Sequence, residues 1–280
     1  MIRLFLAFCS LLPLKVNHFF GSFVGRLLYL FNSEAKSVSR QNLEICFPSL
    51  SKEDLNILLK KVLVETGKGL TESGLIWNQT FKDNSKLIRN ITGEHYLNSP
   101  KKTILLVPHM GCWEITGRVL AVNRKVTFMF RPLRSFRQND YLFARRNRGN
   151  LSMASADKSG VLKIQRALSN GHLIGMLPDQ DPGEEGGLMA PFFGKKVNTM
   201  TLLARVAKKH DAQVLMFWAQ RLDDGQGYDL SLEPIDLSLI GDNLEERVEQ
   251  MNRHIEALIR KNPEQYMWSY RRFKSSHSYT

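Results

Sequence analysis

A histidine followed five residues later by a carboxylate is the first pairing in this chain that can do chemistry: His109-Met-Gly-Cys-Trp-Glu114. An imidazole takes a proton near neutral pH, and a carboxylate at the start of the next element can orient the ring and stabilise the imidazolium. Gly111, between them, lets the backbone approach a substrate closely. The same spacing also arises by chance, as a loop histidine beside a glutamate that serves a helix dipole. A second polar cluster, Pro178-Asp-Gln-Asp-Pro-Gly183, puts Asp179, Gln180 and Asp181 on a tight turn. Such carboxylates can bind a metal, hold a sugar or shape the loop. A third cluster is basic: Arg131, Arg134, Arg137, Arg145, Arg146 and Arg148, with only Asp140 opposing them. Arginine pairs well with phosphate. Arg131, Arg146 and Arg148 are expected to line a site, and Arg134 and Arg137 to lie on a solvated helix face.

Both acidic clusters directly follow short apolar runs. Residues 103–107 (TILLV), ended by Pro108, read as a buried strand leading into His109, and residues 173–177 as another leading into the Asp179 turn. Between them, residues 114–122, 135–146 and 161–168 carry helical patterns, and residues 126–130 and 151–154 strand patterns. After a Gly/Pro-rich loop, the pattern predicts a helix over 201–210 and a strand over 214–221. A hairpin turn at 223–227, a strand over 228–232 and an amphipathic helix over 244–260 follow. Upstream, Ser51-Lys-Glu-Asp54 forms a capping box for a helix carrying Leu55, Leu59 and Val62. The alternation predicts one α/β domain with a mostly parallel sheet. In such sheets ligands bind beyond the carboxyl ends of the strands, which is where the two clusters fall.

The 280 residues, 43% hydrophobic, can bury one sizeable core, and the net charge of +12 suits an anionic partner. A nucleic-acid binder would use the same charge, but no nucleic-acid motif accompanies it and the aromatics sit in apolar runs. A metal-dependent hydrolase using His109, Glu114, Asp179 and Asp181 would lack an H-E-x-x-H arrangement, and no metal is expected. Three unpatterned cysteines point to reduced thiols. Residues 1–31 are apolar but interrupted, short of the ~20 uncharged residues a spanning helix needs. Arg3, Lys15 and Arg26 along them suit a helix lying in a bilayer interface. Residues 1–31 are therefore expected to form a membrane-associating segment ahead of a domain over 32–280.

HMGCWE, PDQDPG with PFFG (Pro191 to Gly194), and PEQYMWSYRRF (Pro263 to Phe273) occur in this order, preceded by Asn42-Leu-Glu-Ile-Cys-Phe-Pro48. In these four motifs the chain resembles the bacterial lipid A biosynthesis acyltransferases, the late lauroyl or myristoyl transferases. Met110 and Cys112 depart from that family's usual residues at their positions. The resemblance implies an α/β acyltransferase domain of the glycerol-3-phosphate-acyltransferase kind behind a hydrophobic N-terminal segment at the cytoplasmic face of the inner membrane. It implies an acyl carrier protein thioester as donor, a lipid A precursor as acceptor, and no cofactor. A glycerophospholipid or another glycolipid is the alternative acceptor. The family's H-x4-D/E pair maps onto His109 as general base and Glu114 as its partner. Arg131, Arg146, Arg148, Asp179, Gln180 and Asp181 are expected to bind substrate.

Overall fold

The computed structural model describes residues 2–131, 136–183, 185–237 and 243–279, with residue 2 and residues 136–139 described by backbone alone. Arg134, Ser135 and the Arg137 side chain therefore lie outside the described part of the arginine-rich segment.

Four helices come first: α1 (Ile2–Ser10), α2 (Leu14–Leu30), α3 (Glu34–Cys46) and the long α4 (Lys52–Asn78). Ser51 caps α4 as its spacing predicts, its hydroxyl oxygen accepting the Asp54 N–H at 3.0 Å. α4 begins with Leu55, Leu59 and Val62 in one core and ends with Leu75, Ile76 and Trp77 in the other, so one helix runs past both faces of the sheet. Its middle is met by α2 at close range. A Cβ on Gly25 would fall 2.3 Å from the Leu63 carbonyl, and one on Gly67 would fall 2.2 Å from that of Gly21. Only glycine permits that approach. Asn17 and His18 of α2 are buried at the same contact, so residues 2–30 are joined to the rest of the protein by packing as well as by the chain.

The α/β part follows with α5 (Phe81–Ser85), β1 (Ile88–Thr92), β2 (Thr103–Leu106), α6 (Trp113–Leu120) and β3 (Val126–Phe130). Next come α7 (Phe136–Arg146), β4 (Leu151–Ser155), α8 (Lys158–Ser169) and β5 (Leu173–Met176). The chain ends with β6 (Gly187–Phe192), β7 (Lys195–Met200), α9 (Leu202–His210), β8 (Gln213–Arg221), β9 (Tyr228–Ile235) and α10 (Leu244–Lys261). Seven strands form one sheet in the order β1-β9-β8-β2-β5-β3-β4. From β8 to β4 every pairing is parallel; β9 returns antiparallel on β8, and β1 pairs parallel with β9. The central strands read as continuous apolar runs because both faces are covered. Ile104 and Leu106 enter one core, Leu105 and Val107 the other.

Two features depart from the sequence expectation. β1 (IRNIT) is mostly exposed at the sheet edge, so it lacks the apolar run that marks a buried strand. The Gly/Pro-rich stretch contains an antiparallel hairpin, β6 on β7, in which Pro191 tolerates a strand position because the pair is only two strands wide. Among the described residues no helix is long and apolar enough to cross a membrane.

Candidate active site

β2 and β5 are neighbours in parallel register, Leu106 opposite Met176, so the loops leaving their carboxyl ends lie side by side. One carries His109 and the other Asp179. They meet directly: the two Asp179 carboxylate oxygens accept the His109 backbone N–H at 2.9 Å and its Nδ1 at 2.8 Å. Asp179 is fully buried, while the His109 side chain keeps 16% exposure. Burial pushes the Asp179 carboxyl up, but His109 beside it holds the net value below the ordinary carboxylate range. With Nδ1 donating to a carboxylate, Nε2 is left as an acceptor. The ring rests edge-on to Trp113, centroids 5.3 Å apart.

Glu114 occupies a different place. Its carboxylate accepts Trp77 Nε1 at 2.8 Å and Arg146 Nε at 3.1 Å, and Arg146 Nη2 completes a bidentate pair. Burial raises its pKa, but Arg146 outweighs that and leaves it lowered. The expected hydrogen bond from Glu114 to the ring is therefore corrected: Asp179 orients His109, and Glu114 anchors an arginine. The reason is topological. Sequence proximity favours Glu114, yet a side chain in the first turn of α6 faces α4 and α7, whereas the loop after β5 faces His109 across one strand spacing.

Both groups open into a cavity of about 450 Å³. Its apolar lining includes Gly117 of α6, Phe128 and Phe130 of β3, Leu151 and Met153 of β4, and Leu177. Its polar lining includes Arg131, Arg146, Gln180 and Asp181. Arg131 donates to the Asp181 carbonyl at 3.4 Å. Asp181 is itself tied to Lys274 at 3.1 Å, Asn198 at 2.9 Å and the Gly183 N–H at 2.8 Å, so its carboxylate shapes the turn. Of the expected substrate-binding residues, Arg148 is exposed outside the cavity, and Asp179 is enclosed behind His109.

Arg118 was not anticipated. It lies in the cavity wall, 1% exposed, donating to Asn84 Oδ1 at 2.5 Å and to the Gln79 and Arg145 carbonyls at 2.8 and 3.0 Å. Burial brings its pKa down to about 10. Its position four residues after Glu114 on one helix was the available signal. Tyr270 also lines the cavity, its hydroxyl accepting the Asp181 N–H at 3.0 Å. Cys112 is 2% exposed and faces away; burial, with Glu72 adding to it, pushes its thiol pKa well up. Among the described residues no three His, Cys, Asp or Glu side chains gather as metal ligands.

Residues 2–275 match the family described as bacterial lipid A biosynthesis acyltransferase. The chain belongs to that family. It is 30% identical over 268 residues to the lipid A biosynthesis lauroyltransferase of Escherichia coli K12, covering 94% of this chain and 87% of that one. It is 27% identical to the palmitoleoyltransferase of the same organism, with the same coverage. A lipid A biosynthesis acyltransferase of Haemophilus influenzae is 26% identical over 93% of this chain and 83% of its own length. This protein is therefore an acyltransferase, and its cavity combines apolar and arginine side chains beside a carboxylate-held histidine.

Proposed function

We propose that this acyltransferase moves a fatty acyl chain from an acyl carrier protein thioester to a hydroxyl of a lipid A precursor. The observation that carries the reading is His109, with Nδ1 fixed by Asp179 and the ring lining a cavity whose walls are apolar side chains and arginines. Nε2 takes the acceptor hydroxyl proton as the oxygen attacks the thioester carbonyl. The tetrahedral adduct collapses, the C–S bond breaks, and the imidazolium returns the proton to the departing thiolate. A thioester is already activated, so no acyl-enzyme is needed, and base catalysis contributes about 10²–10⁴-fold. The apolar side chains of the wall suit an acyl chain. Arg131 and Arg146 suit phosphates, which both a lipid A precursor and the carrier's prosthetic arm bear.

Docking of the protein at the cytoplasmic face of the inner membrane belongs to the same reading. Phe8, Val16, Phe19, Phe23 and Leu30 are exposed along α1 and α2, with Lys15 and Arg26 exposed beside them. An apolar face bordered by cations is what an interfacial helix presents to anionic lipid. The test is purified protein with acyl carrier thioester and a lipid A precursor, read by mass spectrometry of the lipid product. The expected result is one added acyl chain, and a loss of at least about 10²-fold in His109→Ala. Acylation of a glycerophospholipid in preference to the lipid A precursor would replace the acceptor, and an active His109→Ala would remove the base.

A further inference from the structure

Arg221, the last residue of β8, lies outside the cavity, yet all three of its guanidinium nitrogens donate hydrogen bonds. Nε and Nη2 donate to the two carboxylate oxygens of Glu72 at 2.9 and 2.5 Å, and Nη1 donates to Glu65 at 2.6 Å. Nη2 also donates to the carbonyl of Gly111 at 2.9 Å. The Arg221 backbone N–H goes to Gln265 Oε1 at 2.9 Å, and the Gln265 carbonyl accepts the Gly111 N–H at 2.9 Å. Gly111 is thus gripped through both of its amide groups. It sits at φ +56°, where a Cβ would fall 1.9 Å from the Ala219 carbonyl, so the chain can take this path only as glycine.

Stability alone is a weak reason for this arrangement. Burying a guanidinium with two carboxylates costs desolvation that apolar side chains of similar volume avoid. Neutralising Glu72 and Glu65 needs only the contacts made to them. A fourth donor is spent on the Gly111 carbonyl, in the turn between His109 and Glu114.

We propose that Arg221 is a positioning residue for acyl transfer: by pinning the Gly111 carbonyl it fixes the loop that presents His109 to Asp179 and to the cavity. The proposal rests on His109 being the base. Glu72 sets the guanidinium plane and is itself held by Tyr228 Oη at 2.8 Å and His18 Nε2 at 2.9 Å. The inner face of α2 is therefore part of the support.

Arg221→Lys separates positioning from folding. Lysine keeps the positive charge opposite Glu72 and Glu65, but one ammonium cannot reproduce the fork and the Gly111 contact together. Glu65→Gln is the control, because it weakens the same network without touching Gly111. With acyl carrier thioester and lipid A precursor, Arg221→Lys is expected to lose about 10–10²-fold in kcat with KM within about twofold. Glu65→Gln is expected to keep kcat while losing at least as much Tm. The His109 Nδ1 proton, followed by ¹⁵N-edited NMR, should shift in Arg221→Lys and not in Glu65→Gln. If Arg221→Lys does not fold, Glu72→Gln takes its place with a smaller kcat loss and the same NMR signature. A folded replacement with wild-type kcat, or an equal kcat loss in Glu65→Gln, overturns the proposal. An active His109→Ala overturns instead the base assignment beneath it.

Discussion

Replacing Asp179 by Asn exchanges one carboxylate oxygen for an NH₂ without changing the size of the side chain. In the native protein the two oxygens accept the His109 backbone N–H at 2.9 Å and Nδ1 at 2.8 Å, and the Tyr266 hydroxyl is hydrogen-bonded to the same carboxylate. An asparagine offers one acceptor for those two donors. If its oxygen keeps the backbone N–H, the NH₂ faces Nδ1, and the ring answers by moving its proton to Nε2. Nε2 then donates and can no longer receive the hydroxyl proton. If the oxygen keeps Nδ1–H instead, a buried backbone N–H is orphaned at about 1–3 kcal/mol, and the imidazolium loses its counter-charge. Either route removes the base contribution, about 10²–10⁴-fold in kcat, or about 2.7–5.4 kcal/mol of transition-state stabilisation. KM should change little, because Asp179 is enclosed behind the ring. Glu114→Gln is the contrast: it keeps an acceptor for Trp77 Nε1 but loses the charge opposite Arg146, so it should raise KM more than it lowers kcat. Steady-state kinetics on the two variants decide between the carboxylates. A kcat loss of 10²-fold in Glu114→Gln beside a mild Asp179→Asn would refute the assignment of Asp179 to the ring.

Arg146→Ala should raise KM severalfold, because it removes a cavity cation and strands Glu114, whereas exposed Arg148→Ala should stay within about twofold in the same assay. Cys112→Ser should keep most activity, and intact-protein mass spectrometry should find no acyl adduct on Cys112, since a buried thiol with a raised pKa is a poor nucleophile. Phe19→Ser with Phe23→Ser should release the protein from anionic vesicles with Tm nearly unchanged, whereas deletion of residues 1–31 should lower Tm sharply by uncovering Gly67, Thr71 and Glu72; the reverse pattern in flotation and thermal melts would place the membrane contact elsewhere. Asp179, Glu114, Glu65 and Glu72 all titrate below their ordinary values in the folded chain, so their stabilisation is complete above the unfolded carboxyl range and lost as pH falls through and below it. Unfolding free energies from urea melts should therefore be flat from pH 8 to about 5.5 and fall below about pH 4.5, at up to about 1.4 kcal/mol per pH unit for each carboxylate.

Buried parallel strands announce themselves. Residues 103–107 and 173–177 have no polar face to hide, and each ends where the chain turns into polar sequence, so strands and clusters could be read together. Edge strands gave weaker signals: β1 exposes Arg89 and Asn90, and β6 carries Pro191. The site was legible as a set of residues but not as a set of bonds. His109, Glu114, Arg131, Arg146, Gln180 and Asp181 do line one cavity. Which carboxylate holds the ring depends on β2 and β5 being neighbours, and that adjacency is a property of strand order that no local spacing encodes. Arg221 was hidden for the same reason: its partners Glu65, Glu72 and Gly111 are more than a hundred residues away in sequence.

The C-terminal segment shows why a motif with few reactive groups belongs to this site. Its backbone grips the histidine loop twice: the Met267 N–H donates to the His109 carbonyl at 3.0 Å, and the Gln265 carbonyl takes the Gly111 N–H. Tyr270 meets the Asp181 N–H, and buried Arg272 donates to the Asn198 carbonyl and Thr199 Oγ1 at 2.6 and 2.8 Å, next to the Asp181 turn. The segment is held in turn from α3, where Asn42 donates to the Trp268 and Tyr270 carbonyls at 2.6 and 2.8 Å. Loops leaving a sheet are free to move unless their polar backbone is satisfied from outside, and catalysis by a base needs heavy-atom placement within hydrogen-bond tolerance. Here that restraint comes from the last strand-to-tail stretch folding back over the first motif. The Asn-Leu…Phe-Pro segment, the histidine loop, the aspartate turn and the tail are thus four stretches of sequence gripping one another, which accounts for their standing in the chain together although only one of them carries the proposed base.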